Sequence, residues 1–391
     1  MFRLCIFFSP RICKAKCIPF LFTSIKVTQQ FKTLLIMTYD ELQSKSIDFL
    51  RFPLIVGVVF IHAYSATVKL QGVDLGTEAY LPVYNTVSEF CSQVVARIAV
   101  PLFFFISGFL FFYHTEWTVG SYKYKLNRRV KTLLIPYLFW NLSVLILFFI
   151  AQSLPGISGL FSGMSKLIRD YDFMDFLNAF WAPIVYPFWF IRDLMVVVLF
   201  TPVVYTFVQY GKKYGVMLLG IMWYFGWWFD VTGFGIVSFF FFTAGAYFSI
   251  NKLNIILIFR KLFVPSLVIY PLLALADLLT KIYEFNHYIH DLGIVVGIVF
   301  LFNLVSHYLE KGKIAAISFL TSAAFFVFAC HEPWLTLIRK TLFKILKPET
   351  DALMTVLYFL APALVIAVTL SVYALLKRYF PRFTQIITGG R

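Results

Sequence analysis

Charge is what this sequence has least of. Only 14% of its 391 residues are Asp, Glu, Lys or Arg, where soluble domains carry about 25%, and the shortfall removes the solvated surface that a water-soluble fold needs. Acidic residues are the scarcer sign, 19 against 34 basic. Cysteine is sparse as well. Cys5, Cys13 and Cys17 crowd the N-terminus while Cys91 and Cys330 stand apart, so neither a disulfide framework nor zinc-ligand spacing is present and no metal is expected. No period of about 20 to 50 residues repeats, and no Pro-, Gly- or Ser-rich linker separates two blocks, which argues against repeat and two-domain architectures. No polar segment interleaves a basic face with aromatics, so the formal charge of +15 does not read as a nucleic-acid footprint. It reads as loops facing anionic lipid headgroups.

Apolar sequence fills the space that charge leaves. Hydrophobic residues make up 60% of the chain and the mean hydropathy is +0.82. With about 20 apolar residues per crossing, ten candidate spans emerge, at 52–69, 94–113, 132–152, 188–209, 216–229, 234–250, 262–280, 289–307, 314–338 and 353–376. The expected fold class is therefore an all-α polytopic integral membrane protein of about ten transmembrane helices. Residues 1–46 read as an N-terminal cytoplasmic segment, 47–380 as the transmembrane domain and 381–391 as a cytoplasmic tail. Residues 1–36 lack the apolar core and small-residue cleavage site of a signal peptide; they either precede a natural start at Met37 or form an amphipathic cytoplasmic extension.

Loop charges orient the chain, because Lys and Arg collect on the cytoplasmic side. Lys123, Lys125, Arg128, Arg129 and Lys131 follow the second span, and alternate loops after it carry Lys212 and Lys213, then Lys252, Arg260 and Lys261, then Lys311 and Lys313. Both termini are thus expected inside. Arg339, Lys340, Lys344 and Lys347 dissent, since this topology turns them outward.

Ionisable residues within spans cost about 2.5–3.5 kcal/mol each on insertion scales, which makes each one a site hypothesis. The set is Arg51, His62, Arg97, Arg192, Asp193, Asp277, His331 and Glu332. Arg51 and His62 are eleven residues apart, which places them on one helix face about 16 Å apart along the axis. A basic anchor at the rim and an imidazole three turns deeper can hold an anionic carrier while its far end meets a general base. Each of these residues also has a plainer role. His62 can bond a neighbouring helix, Arg51 can snorkel, Arg128 and Arg129 can set topology, and Ser107-Gly108 can be a close helix contact. Arg192 and Asp193, being adjacent, are expected to find separate partners.

The stretch RFPLIVGVVFIH, from Arg51 to His62, resembles the Arg-to-His motif that marks the first helix of the membrane acyltransferase 3 family. PLFFFISGF at 101–109, KLNRRVKTLLIPYLFW at 125–140, FWFIRDL at 188–194 and FACHEP at 328–333 resemble its later segments in order, so the resemblance spans most of the chain. It implies an O-acyltransferase of the bacterial cytoplasmic (inner) membrane that moves an acyl group, commonly acetyl, from cytoplasmic acyl-CoA to a hydroxyl of a cell-envelope carbohydrate or lipid-linked sugar. Acyl-CoA would be a co-substrate, with no bound cofactor. His62 would act as general base, since an imidazole with an ordinary pKa of about 6.5 is neutral at pH 7. His331 and Glu332 would assist catalysis. Arg51, Arg128, Arg129 and Lys125 would hold phosphates, guanidinium forks matching phosphate oxygens, and Ser107, Trp189 and Arg192 would contact substrate. The competing class, a transporter or flippase of lipid-linked sugars, favours internally repeated halves with Gly or Pro breaks at matching positions, and the sequence has none. Two other acyltransferase signatures fit poorly. The membrane-bound His and Asn pair lies late in its chains, and Thr67 stands where the soluble His-then-Asp signature needs Asp.

Overall fold

The first long helix, α1, runs Tyr39–Ala63. It starts where it does because the Thr38 hydroxyl accepts from the Glu41 amide at 3.2 Å, and Asp40 and Glu41 favour the positive end of the helix dipole. The polar stretch expected ahead of the first span is therefore the opening of that helix. The computed structural model describes residues 37–64, 69–70, 73–74, 81–154, 166–184, 186–229 and 231–390; the question about residues 1–36 lies outside them.

Helices account for nearly all of the described chain. A two-residue antiparallel ladder pairs Lys69–Leu70 with Val73–Asp74. Helix α2, Pro82–Phe112, widens into a π turn at Phe90–Val95. Helix α3 covers Val119–Ser153 and opens on a capping box between Thr118 and Ser121. The short α4, Phe173–Trp181, precedes α5, Trp189–Leu199, and α6, Thr201–Tyr224, which meet at a 64° bend. Then come α7, Ile236–Ile250; α8, Ile255–Leu279; α9, Asn286–Glu310; α10, Ser318–Leu346; α11, Asp351–Tyr379; and α12, Pro381–Thr388.

Six of these helices are long and apolar enough to cross a bilayer, or seven if the bent α5–α6 pair is one span. The expected count of ten is not reached on that measure, for identifiable reasons. The fourth and fifth expected spans both fall on the bent pair, the fourth on α5 and the first part of α6 and the fifth on the rest of α6. The sixth is the 15-residue α7, and the ninth is α10, which is interrupted at Glu332 (φ −100°, ψ 136°), since Pro333 lacks an amide hydrogen and pushes the residue before it into extended backbone.

The chain turns apolar surface outward as well as inward. Only 22% of the α8 apolar window is buried in the protein, with Val264, Val268, Leu272 and Leu275 all exposed; such a face is stable in hydrocarbon and unfavourable in water. This is an integral membrane protein. Phe104, Phe109, Phe111, Phe242 and Phe302 fill the interior. Helices α2 and α7 approach most closely at glycines, where a β-carbon on Gly108 would fall inside the Phe242 carbonyl and one on Gly245 inside that of Phe105. Gly108 is the packing point expected beside Ser107. Gly108→Ala should therefore destabilise the solubilised protein by about 1–3 kcal/mol, read as a lowered melting temperature, whereas Gly293→Ala, with nothing within 4 Å, should not. The C-terminal tail is also structured: Trp140 Nε1 on α3 donates to the Ile387 carbonyl of α12 at 2.9 Å.

Candidate active site

Arg51 is half exposed on α1, with Asp48 one turn before it at 3.3 Å. Both line a cavity of about 460 Å³. Four residues after Arg51, Ile55 lines the same cavity, so it follows the stripe that leads to His62. The opposite wall comes from α2, where Ser107 and its neighbours Phe103 and Leu110 face inward, and Arg129 of α3 enters from the same end as Arg51. Two guanidiniums from different helices thus share the mouth of a cavity whose deeper walls include Phe190 and Phe328.

Lys125, Arg128 and Arg129 line a second, smaller pocket of about 200 Å³, which shares Leu110 and Arg129 with the first. Three of the expected phosphate ligands therefore converge, and the fourth, Arg51, joins them across the shared wall. The Lys125 ammonium donates to the Phe111 carbonyl, at the negative end of α2, where a cation is favoured.

Beyond Phe328 lie two imidazoles. The His62 and His331 rings are 5.2 Å apart between centroids. His331 is fully buried and its Nδ1 lies 2.6 Å from the Phe328 carbonyl. A carbonyl only accepts, so Nδ1 carries the hydrogen and Nε2 presents a lone pair; that Nε2 has no hydrogen-bond partner among the described residues. Neither imidazole lines the 460 Å³ cavity itself. The tie between them is Phe328, which forms its wall and whose ring centroid is 6.0 Å from that of His331.

The end of α1 that carries His62 is held from three sides. The Ser92 hydroxyl, on the π turn of α2, donates to the Phe60 carbonyl at 2.5 Å and contacts the Tyr358 hydroxyl of α11 at 2.6 Å. Arg339 of α10 donates to the Ala63 carbonyl at 2.9 Å, satisfying a carbonyl that the helix end leaves open. Sequence reasoning missed Arg339, which entered only as a basic residue on the wrong side; that anomaly was the one signal. The other was unreadable, because serine at 92 carries no mark of its partner. Glu332, at the break in α10, accepts from the Thr336 hydroxyl at 3.2 Å. Arg97 donates to Gln93 at 2.8 Å and lies within electrostatic range of His62. Arg339→Gln should loosen the last turn of α1 at a cost of about 1.5–3 kcal/mol, lowering turnover by about 10- to 100-fold with the donor KM unchanged; unaltered turnover would detach Arg339 from the site.

Other expected site residues lie elsewhere. Arg192 and Asp193 pair with each other, contrary to the expectation of separate partners: Nε and Nη2 reach one carboxylate oxygen at 2.9 and 2.7 Å, and Nη1 donates to the Trp181 carbonyl at 3.0 Å. Adjacent side chains do diverge on a helix, but the arginine stem is long enough to fold back. Arg192 borders a third, apolar cavity with Leu177 and Met195, which shares only Arg129 with the two basic pockets, and Trp189 lines neither basic pocket. Asp277 is buried among Asn286, Lys281 and His290, at 2.9, 3.1 and 2.7 Å, a satisfied polar knot between α8 and α9. Among the described residues no group of three His, Cys, Asp or Glu side chains could hold a metal.

A family model described as an acyltransferase domain matches residues 44–376 of this chain. No curated protein and no solved structure matches it.

Proposed function

Since the chain belongs to the acyltransferase 3 family and is a membrane acyltransferase, we propose that it takes an acyl group, acetyl first among candidates, from cytoplasmic acyl-CoA and transfers it to a hydroxyl of a cell-envelope carbohydrate or lipid-linked sugar. The observation that carries this reading is the cavity whose mouth holds Arg51 and Arg129 and whose Phe328 wall backs onto the paired imidazoles of His62 and His331.

In this reading Arg51, Arg129, Arg128 and Lys125 hold the donor's phosphates, and the apolar walls beyond them receive its uncharged arm and thioester. The acceptor approaches from the far side of His62, where Arg97, Glu332 and Arg339 supply polar groups. His62 removes the proton of the attacking hydroxyl as the new carbon–oxygen bond forms. The carbon–sulfur bond then breaks, and the departing thiolate takes that proton back from His62, so the transfer is proton-neutral. His331, locked by the Phe328 carbonyl, positions the His62 ring. Excluding water from such a site favours transfer over hydrolysis of the thioester.

The test is reconstitution. Protein in vesicles, given labelled acetyl-CoA and a lipid-linked glycan, should release free thiol in step with label appearing on the glycan. Movement of the glycan across the bilayer without thiol release would favour the flippase reading instead.

A further inference from the structure

A cavity of about 720 Å³, larger than the one behind Arg51, shares no lining residue with it. It opens at the same end of the bundle but on the other side of α2. Ser107 and Leu110 face the Arg51 cavity, whereas Phe109, Phe112 and Tyr113 face this one; Phe109 lies roughly 200° around the helix from Ser107. The two spaces are therefore separate sites with a helix between them.

The wall of the larger cavity is aromatic. Trp117 stacks on Tyr205 at 4.9 Å and 19°, and the Phe112 ring is 5.3 Å from Trp117. Its rim carries Asp40, Glu116 and Lys252. Asp40 accepts from Asn254 at 2.8 Å through one oxygen, which leaves the other to a ligand. Glu116 and Lys252 make no ion pair among the described residues. The depth of the cavity is marked by α6, which supplies Tyr205 and then runs into Tyr210 and Tyr214, 86% and 69% exposed, on either side of Lys212 and Lys213. Outward tyrosines beside lysines are the composition of the headgroup layer.

Carboxylates beside aromatic faces recognise an ammonium group, through charge and through the ring quadrupole, and a lysine recognises a phosphate oxygen as a point charge. We propose that this cavity binds the headgroup of a zwitterionic phospholipid, with its ammonium among Asp40, Glu116 and Trp117 and its phosphate toward Lys252. An anionic lipid or a nucleotide would bring phosphate charge against two carboxylates with one lysine to offset them. A bound headgroup also braces the end of α2 whose opposite face lines the Arg51 cavity, so the membrane's own lipid becomes part of the wall behind that site.

Native mass spectrometry of the full-length protein, released from nanodiscs of equal parts phosphatidylethanolamine and phosphatidylglycerol, is expected to retain one phosphatidylethanolamine. Asp40→Asn with Glu116→Gln, which keep shape and remove charge, should cut that retention about tenfold. Tyr210→Ala, outside the cavity, should leave it intact and so controls for general loss of lipid. Preferential retention of phosphatidylglycerol would overturn the proposal, as would retention that the double variant leaves unchanged. Displacement of the lipid by 3′-phosphoadenosine 5′-diphosphate would also overturn it and assign the cavity to a nucleotide.

Discussion

Replacing His62 with alanine should lower acyl transfer by about 10²- to 10⁴-fold, the range that a positioned general base contributes, while the protein inserts and accumulates normally. The physical reason is that an attacking hydroxyl is a poor nucleophile until a base takes its proton, and His62 is the imidazole on the stripe leading inward from Arg51. Its neighbour at 5.2 Å, His331, is tied to a backbone carbonyl through Nδ1 and so serves to position. His331→Gln should therefore cost less than His62→Ala, because an amide can still donate to the Phe328 carbonyl. Label transfer from acetyl-CoA to the glycan, measured on vesicles with matched protein content, checks both variants. Full transfer in His62→Ala would remove the base assignment and leave the cavity without its chemistry.

Arg51→Ala combined with Arg129→Ala should raise the donor KM by two orders of magnitude or more. Each guanidinium–phosphate contact contributes roughly 1.5–3 kcal/mol, and about 1.4 kcal/mol corresponds to tenfold in affinity. The two charges share the mouth of one cavity, so their losses should couple, and the double variant need not equal the sum of the singles. Raising ionic strength should weaken donor binding by the wild-type protein more than by the double variant, since exposed charges are screened over about 8–10 Å. The acceptor KM should stay unchanged. A double variant with unaltered donor KM would place the donor elsewhere, with Arg51 left to its contact with Asp48.

These two predictions differ in how far they could be foreseen. Arg51 and His62 are bound to one stripe of α1 by helical periodicity, and the basic run Lys125, Arg128 and Arg129 declares itself by charge. The meeting of that run with Arg51 at adjoining pockets depends on how α1, α2 and α3 pack. Helix α10 shows the same division: Pro333 announces a break, but nothing local says that the break sets His331 beside His62 or that Arg339 returns to the Ala63 carbonyl. The bond between Arg192 and Asp193 went unforeseen because angular spacing was considered without the reach of a long side chain.

Composition and periodicity settled by themselves that this chain is a helical membrane protein, where its apolar segments lie, and which rare ionisable groups share a helix face. They could do so because hydrocarbon requires every backbone amide to bond within its own segment, so each span is written locally in hydropathy. Tertiary structure alone decided which residues of different helices come together: His62 beside His331, Arg51 and Arg129 on the lining of one cavity, Gly108 against the Phe242 carbonyl, and Arg339 at the end of α1. Those contacts follow from the rotation and depth at which helices settle against one another, and packing sets both.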